Sequence, residues 1–327
     1  MKYMGKDGFV WFQGVVEDRN DPLQLGRCRV RCLGFHHEDK TLIPTESLPW
    51  AYPIQPITSS AMNGIGNAPV GPVEGTWVVG FFRDGLSCQE PVFFGAIGGF
   101  SLETSTPGKG FNDPNGKYPK EDFVPEQDTN RLARGITTDT IVQTKTENVE
   151  EQEERPTANE AGDNEWKEPD VAYAAEYPFN HVYESESGHI QEFDDTEEAE
   201  RIHTWHKSGT FEEIHPDGSK VVKVIGDDYE LLLGKKFVHV TGNVNVLVDG
   251  QSTFYVKGDS DIQVDGNVKQ VVEGNVDQEI GGNITTKSEH GDFVVDALNI
   301  KMTASAGINI ETNQNMVLKG SAGIDLN

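Results

Sequence analysis

The chain has 327 residues, of which 54 are acidic and 27 are basic, so its net charge is −27. That length predicts two or three domains, and an acidic surface disfavours binding to nucleic acids and anionic membranes, because both repel it. There is no apolar run of 18 residues and no apolar signal-peptide core after Met1, so we expect a protein that is made in a cytoplasm and stays soluble there.

Residues 1–105 are predicted to form a small β barrel. Turn-forming segments separate four strand-like runs, at 10–16, 27–33, 77–82 and 92–97. Their number and spacing suit the oligonucleotide/oligosaccharide-binding (OB) barrel, a fold that hosts many functions. Cys28 and Cys32 share one strand face at about 13 Å, beyond disulfide reach, so with Cys88 they are interpreted as small buried apolar side chains.

Residues 106–176 differ in composition from the barrel. Gly, Pro and Thr give way to an acidic run at 147–156, and such a segment cannot bury enough apolar surface to fold alone. We therefore predict an extended acidic linker. Strand character returns in residues 177–225, which we predict to be a β collar.

The most informative feature is a repeat of eight residues after the collar. Because eight is even, a strand keeps its apolar face from one repeat to the next, whereas a helix would rotate it away. An apolar residue stands two positions before each glycine of the repeat. Asn or Asp usually comes directly after the glycine, and this pair is typical of a bend. Each octad is therefore predicted to be a short strand ending in a corner. The corner glycines are Gly226, Gly234, Gly242, Gly250, Gly258, Gly266, Gly274 and Gly282.

The apolar positions of the octads continue to Ile324 and Leu326, so the repeat is predicted to run through residues 226–327. A single stack of such strands would have a thin apolar face and open edges. Three chains around one axis would pair every strand with another chain. We predict an all-β homotrimer with an intertwined triple-stranded β-helix about 60 Å long; a single-chain β-solenoid is the alternative.

Candidate catalytic and metal-binding groups do not combine into a predicted site. His203 and His206 are three residues apart, so on a strand they face opposite sides and do not suit a metal. Two acidic pairs, Asp194 with Asp195 and Glu184 with Glu186, could act as acid and base, but we interpret them as solvated or hydrogen-bonded groups. We predict no catalytic residue, no cofactor and no metal.

Four arginines of the barrel form a basic cluster: Arg19, Arg27, Arg29 and Arg31. A basic groove that binds nucleic acid is usually interleaved with aromatic side chains, and the sequence shows no such interleaving here. Ion pairing with neighbouring acids, or a protein contact, is the better interpretation. We therefore predict no nucleic-acid partner.

Three stretches carry a family resemblance: residues 11–31 (WFQGVVEDRNDPLQLGRCRVR), residues 111–119 (FNDPNGKYP) and, most specifically, residues 186–196 (ESGHIQEFDDT). Together with the octads, they resemble the baseplate central spike proteins of T-even-like contractile-tailed phages. The resemblance covers roughly residues 9–120 and 177–290. The best-known members carry a lysozyme domain between barrel and collar, but the interval 121–176 is too short for one.

The resemblance implies a structural, non-enzymatic spike in the tail baseplate of a virion. Hub and baseplate proteins would hold the barrel, and the trimeric needle would pierce the host envelope during contraction. A small cap protein of the PAAR class would bind the tip at Ile324 and Leu326. The alternatives are a VgrG-like spike of type VI secretion and, from a different class, a tail-associated peptidoglycan hydrolase.

Overall fold

The computed structural model describes residues 9–60, 66–98, 128–152, 155–156, 165–317 and 319. The chain divides into two compact units, residues 1–252 and 253–327. The first unit contains a β barrel, two helices and a five-stranded sheet. Among the described residues, neither helix has the length and apolar composition of a membrane-crossing segment.

Five strands close the barrel: β1 (Val10–Asp18), β2 (Cys28–Cys32), β3 (Trp50–Pro53), β4 (Trp77–Phe82) and β5 (Pro91–Ala96). Their order around the barrel is β1-β2-β3-β5-β4, with β3 and β5 parallel and the other neighbours antiparallel. The predicted OB barrel is confirmed. The sequence did not indicate β3, because this strand is short and lies between Pro49 and the terminal Pro53.

Alternate side chains of these strands fill the barrel. The core consists of Phe12, Val16, Cys28, Val30, Cys32, Ala51, Val78, Phe82 and Phe93. Gly80 of β4 allows the close strand approach, because a Cβ there would lie 2.0 Å from the carbonyl oxygen of Val92. The thiols of Cys28 and Cys32 are free and buried, as predicted, whereas that of Cys88 is only half-buried; burial raises the pKa of Cys28 to about 12.

Two helices lie between the barrel and the collar: α1 (Asp128–Ala133) and α2 (Ile141–Glu150). They are followed by a pair of two-residue strands, β6 (Arg155–Pro156) and β7 (Glu165–Trp166). Residues 128–150 therefore differ from the extended linker predicted for 106–176. The prediction differed because it asked only whether the segment could fold alone. In the structure, apolar residues of the two helices are buried against the neighbouring sheet.

The collar is an antiparallel meander of five strands: β8 (Asn180–Glu184), β9 (Ile190–Asp194), β10 (Arg201–Trp205), β11 (Phe211–Ile214) and β12 (Lys220–Lys223). Three of its connections are tight turns, which contain Gly188, Gly209 and Gly218 at φ of 85°, 91° and 82°. One face packs on α1 and α2 through a core of Leu132, Val142, Ile190, Trp205 and Phe211.

After the collar, the described residues from 226 to 317 form neither helix nor strand, and their described side chains are exposed. The backbone bends at residues 225–226 and then at every eighth residue to 281–282, which places a bend at each corner glycine. Further bends occur at 289–291, 298, 305–306 and 313–314, where the glycine is mostly replaced. The bends thus keep the eight-residue interval, and the β-helix built from it stays a prediction.

Candidate functional site: buried and exposed surfaces for assembly

A network of buried charged side chains joins helix α2 to the collar sheet. Arg201 donates hydrogen bonds to Glu192 at 2.7 Å and to Glu213 at 2.9 Å, and Lys145 of α2 donates to the same Glu213. His203 Nδ1 lies 2.8 Å from a carboxylate oxygen of Glu192. All five side chains are almost fully buried. Strand alternation on β9, β10 and β11 directs these groups to the helix side of the sheet.

The neighbours of each group fix its ionisation. Burial opposes ionisation of Glu192, but its hydrogen bonds to His203 and Arg201 outweigh that effect and lower its pKa to about 2. Burial lowers the pKa of His203 and that of Lys145, each against the pull of a carboxylate. Because every group in this network is withdrawn from solvent and each carboxylate is bonded to a basic side chain, the network fits a structural role rather than acid–base catalysis.

The histidines and acidic pairs singled out in the sequence lie at separate positions. His203 is buried in the network, whereas the exposed His206 lies beside His189 with 4.5 Å between ring centroids, so the predicted opposite orientation is confirmed. Asp194 accepts a hydrogen bond from the Thr196 hydroxyl at 2.6 Å. In the described part of the chain, no group of three His, Cys, Asp or Glu side chains is placed to hold a metal ion.

The remaining acids of those pairs also have partners, as expected for hydrogen-bonded groups. Glu184 accepts a 3.4 Å hydrogen bond from the backbone N–H of Thr129. Asp195 lies 3.5 Å from His181, and Glu186 pairs with an arginine of the barrel.

The barrel arginines are paired with acids, as predicted. Arg31 pairs with Glu17 at a position where both side chains are fully buried. Arg27 contacts Asp21 at 2.6 Å, and this hydrogen bond holds the pKa of Asp21 far below its usual range. In these pairs, the acids neutralise the positive charge that a nucleic-acid-binding surface would present to phosphate groups.

The expectation that aromatic side chains do not interleave with these arginines is wrong. The guanidinium of Arg29 lies 4.5 Å from the centroid of the Trp50 ring, and that of Arg27 lies 5.5 Å from Trp50 and 5.4 Å from Tyr52. The aromatic residues belong to β3, the strand that the sequence did not indicate. Because guanidinium groups lie over the rings and acids pair with the guanidinium groups, the stack stabilises the barrel rather than offering free bases a stacking surface.

An exposed aromatic cluster lies on the outer face of the barrel. We call Phe9, Trp11, Phe81 and Phe94 the barrel aromatic cluster. Its centre is Trp11, whose ring centroid lies 4.8 Å from that of Phe9, 5.9 Å from Phe81 and 5.6 Å from Phe94. Trp11 is nevertheless 54% exposed. Exposed apolar patches of this kind usually mark contact surfaces for other proteins. The sequence analysis missed it, because these residues alternate with core residues along strands.

Arg19 connects the barrel to the collar. Arg19, just after β1, donates two hydrogen bonds of 2.7 Å to the two carboxylate oxygens of Glu186 in the β8–β9 turn. Its Nε lies 3.3 Å from Glu74, whose side chain is fully buried in the barrel. A bidentate arginine–carboxylate pair fixes orientation as well as distance. The pair therefore constrains how the collar turn sits against the barrel.

The octads expose a long series of apolar side chains in the single chain. Val248 is 52% exposed, Phe254 is 88% exposed and Ile262 is 89% exposed. Soluble proteins do not usually leave so many large apolar groups in water, and partners commonly cover such surfaces. The predicted tip residues Ile324 and Leu326 lie outside the described residues.

Taken together, the fold defines a mostly-β protein with an N-terminal OB barrel and no assembled catalytic centre among the described residues. The family model described as "Gp5 N-terminal OB domain" matches residues 34–172. The chain is 50% identical over 257 residues to Protein Gp5 of Vibrio phage KVP40, a match that covers 70% of this chain and 61% of that protein. It is also 48% identical over 130 residues to the pre-baseplate central spike protein Gp5 of Enterobacteria phage T4, covering 38% of this chain and 22% of that protein.

Over the matched stretches, the chain is therefore homologous to the Gp5 proteins of these two phages, and the T4 protein is named as a pre-baseplate central spike protein. It spans 61% of the length of the KVP40 relative and 22% of the length of the T4 relative.

Proposed function

We propose that this protein is a structural central spike in the baseplate of a contractile phage tail, and that it works as a homotrimer in the virion. The observation that carries the proposal is the octad segment, in which regular bends recur every eight residues while a single chain leaves the apolar side chains in water. The name of the T4 relative, a pre-baseplate central spike protein, supports the same assignment.

The proposed mechanism depends on stiffness. In a trimer of intertwined octads, each strand pairs with a strand of another chain, so that no edge stays open and no hinge interrupts the shaft. Such a shaft can transmit the force of tail contraction to a small area of the host envelope. Bends at short, regular intervals support this architecture, because each bend begins a new face of the shaft.

The barrel aromatic cluster is the surface that we propose for the hub and baseplate proteins. It combines large aromatic side chains with substantial exposure, which is the composition of interface hot spots. For the opposite end, we propose that a small PAAR-like cap binds the C-terminal face at Ile324 and Leu326. The family resemblance and the continuation of the apolar repeat to residue 326 support this cap.

We further propose that the protein is not an enzyme. Between barrel and collar, the described residues form two short helices and a two-stranded ribbon. The described part of this interval contains no lysozyme domain, and the charged network beside it is buried. A VgrG-like spike and a peptidoglycan hydrolase are less favoured, because the relatives are phage Gp5 proteins and one is named as a spike. Incubation of the purified protein with peptidoglycan should release no more product than buffer.

The mass of the purified chain in solution tests the proposal most directly. One chain has a mass of 36.1 kDa, and light scattering should give three times that value at micromolar concentration. A stable, folded monomer under those conditions would contradict the trimeric spike and favour the single-chain solenoid.

A further inference from the structure

We infer that the open face of the collar sheet is the surface through which the collars of neighbouring copies of this chain contact one another. The open face is the side of the β8–β12 sheet that points away from α1 and α2. The inference rests on the proposed trimer and adds the surface by which the collar takes part in it.

The two faces of the collar sheet differ in their surroundings. On β9 and β10, alternate residues such as Ile190 and Trp205 are buried under the helices, and the residues between them are exposed. Two adjacent rows cross the open face. The first row consists of His181, Phe193, Ile202, Ile214 and Lys220, and the second of Tyr183, Gln191, Thr204, Glu212 and Val222.

The centre of the open face is apolar. Ile202 of β10 lies directly opposite Phe193 of β9 and Ile214 of β11. Phe193 is 46% exposed, Ile202 is 44% exposed and Val222 is 57% exposed. Strands β9, β10 and β12 thus each expose a large apolar group on this side of the sheet, and β11 adds Ile214 between Ile202 and Lys220. Apolar residues in adjacent cross-strand positions form a continuous patch, which is the property of a contact surface.

The charged residues around this patch are paired within the chain. Lys220 Nζ lies 2.8 Å from Glu212, and His181 Nε2 lies 3.5 Å from Asp195. Identical copies can therefore approach through this face without bringing together a set of unpaired like charges. This arrangement suits contact with other copies of the same chain.

The direction of the last collar strand, β12, indicates that the partner of the open face is another copy of this chain. Val222 of β12 points to the open face, since it lies opposite the exposed Glu212 in the register. Val224 follows two residues later, so along an extended chain it lies on the same side. Val224 is also the first residue of the apolar series that stands two before each corner glycine. Chains that bury this series against one another consequently turn their open collar faces toward one another.

A cysteine-accessibility experiment on the full-length protein tests this inference. Ile202→Cys and Phe193→Cys are placed separately in a Cys88→Ser background, which removes the half-buried native thiol and leaves Cys28 and Cys32 buried. Glu197→Cys, in the exposed connection between β9 and β10, is the matched control. Maleimide labelling rates are normalised to those of each variant in denaturant, and light scattering gives the mass of each sample.

We expect trimers in which both face positions react at least about tenfold more slowly than the Glu197→Cys control. Trimers in which Ile202→Cys and Phe193→Cys react as fast as that control would overturn the inference and leave the trimeric spike intact. A monomeric wild-type protein would instead overturn the proposed function, and the collar contact with it.

Discussion

Arg201 occupies a position where an unpaired charge would be very costly. Its side chain is 1% exposed, yet Glu192 and Glu213 each accept a hydrogen bond from it, while His203 and Lys145 contact the same two carboxylates. Removing any one charged member would leave another buried charge uncompensated. The network therefore selects one packing of α2 on the sheet, because a shifted helix would not bring Lys145 to Glu213.

This network makes the stability of the collar depend on pH. The pKa of His203 is lowered from its ordinary 6.5, so below pH 6.5 the unfolded chain takes up a proton that the folded chain does not. Folding stability should then fall as the pH falls. Folding stability should fall again between pH 4.5 and about 2, because the ionised Glu192 carboxylate, which stabilises the fold, becomes protonated in that range.

His203→Gln should flatten the pH dependence of the unfolding free energy between pH 7.5 and 5.5. The slope removed is at most about 1.4 kcal/mol per pH unit, the value for one proton. Urea unfolding at a series of pH values measures it. His206→Gln changes an exposed histidine and should leave the slope unaltered. A His203→Gln slope equal to that of the wild type would show that another group titrates.

At the scale of secondary-structure elements, the sequence predicts local structure better than it predicts contacts between distant segments. Strand alternation was enough to place β1 and β4 and to put His203 and His206 on opposite sides. It did not indicate α1 and α2, because composition reports whether a segment can fold alone, and their apolar residues are buried by a sheet that begins 30 residues after α2 ends (180 − 150). The pairing of Lys145 with Glu213, 68 residues apart, depends on that packing.

The first element-scale prediction tests whether α1 is part of the collar. Leu132 is fully buried against Ile190 and its neighbours, so Leu132→Ala should cost about 2–5 kcal/mol of collar stability. Asn130→Ala, on the exposed side of the same helix, is the control. Chemical denaturation of the full-length protein measures both. Equal unfolding curves for the two variants would mean that α1 does not contribute to the collar core.

The second element-scale prediction concerns the octads. Val248 stands two residues before Gly250 and belongs to the apolar series, whereas Asp249 has the opposite parity. In the proposed trimer, Val248→Asp would bring three carboxylates into an apolar interior and should prevent or strongly weaken assembly. Asp249→Val should have little effect, because that side chain faces water. Light scattering and thermal unfolding compare the two variants. Equal stability of the two variants would show that the inner and outer faces of the octads are assigned the wrong way round.

At the scale of the whole molecule, Arg19 and Glu186 join parts of the chain that are 167 residues apart in sequence. Both residues fall in stretches that carry the family resemblance, yet their contact could not be predicted, because nothing in either segment specifies which charged partner it meets. The pair is partly exposed, with side-chain exposures of 31% and 40%, so its contribution is about 1 kcal/mol rather than that of a buried pair. Its importance is geometric, because the two parallel hydrogen bonds restrict rotation of the collar turn.

Glu186→Arg should release this contact by placing two guanidinium groups together. The loss of about 1 kcal/mol corresponds to about fivefold faster local opening, so the amide of Gly188, which donates to the Ser185 carbonyl in the same turn, should exchange with solvent about five times faster. The amide of Asn20, which is held by the Asp18 carboxylate beside Arg19, should exchange faster as well.

Glu197→Arg makes the same charge change on the exposed β9–β10 connection and should alter neither amide. Salt should accelerate both amides in the wild type, because exposed ion pairs are screened. If Glu186→Arg leaves the exchange of Gly188 and Asn20 at the wild-type rate, the barrel and the collar are held together by other contacts.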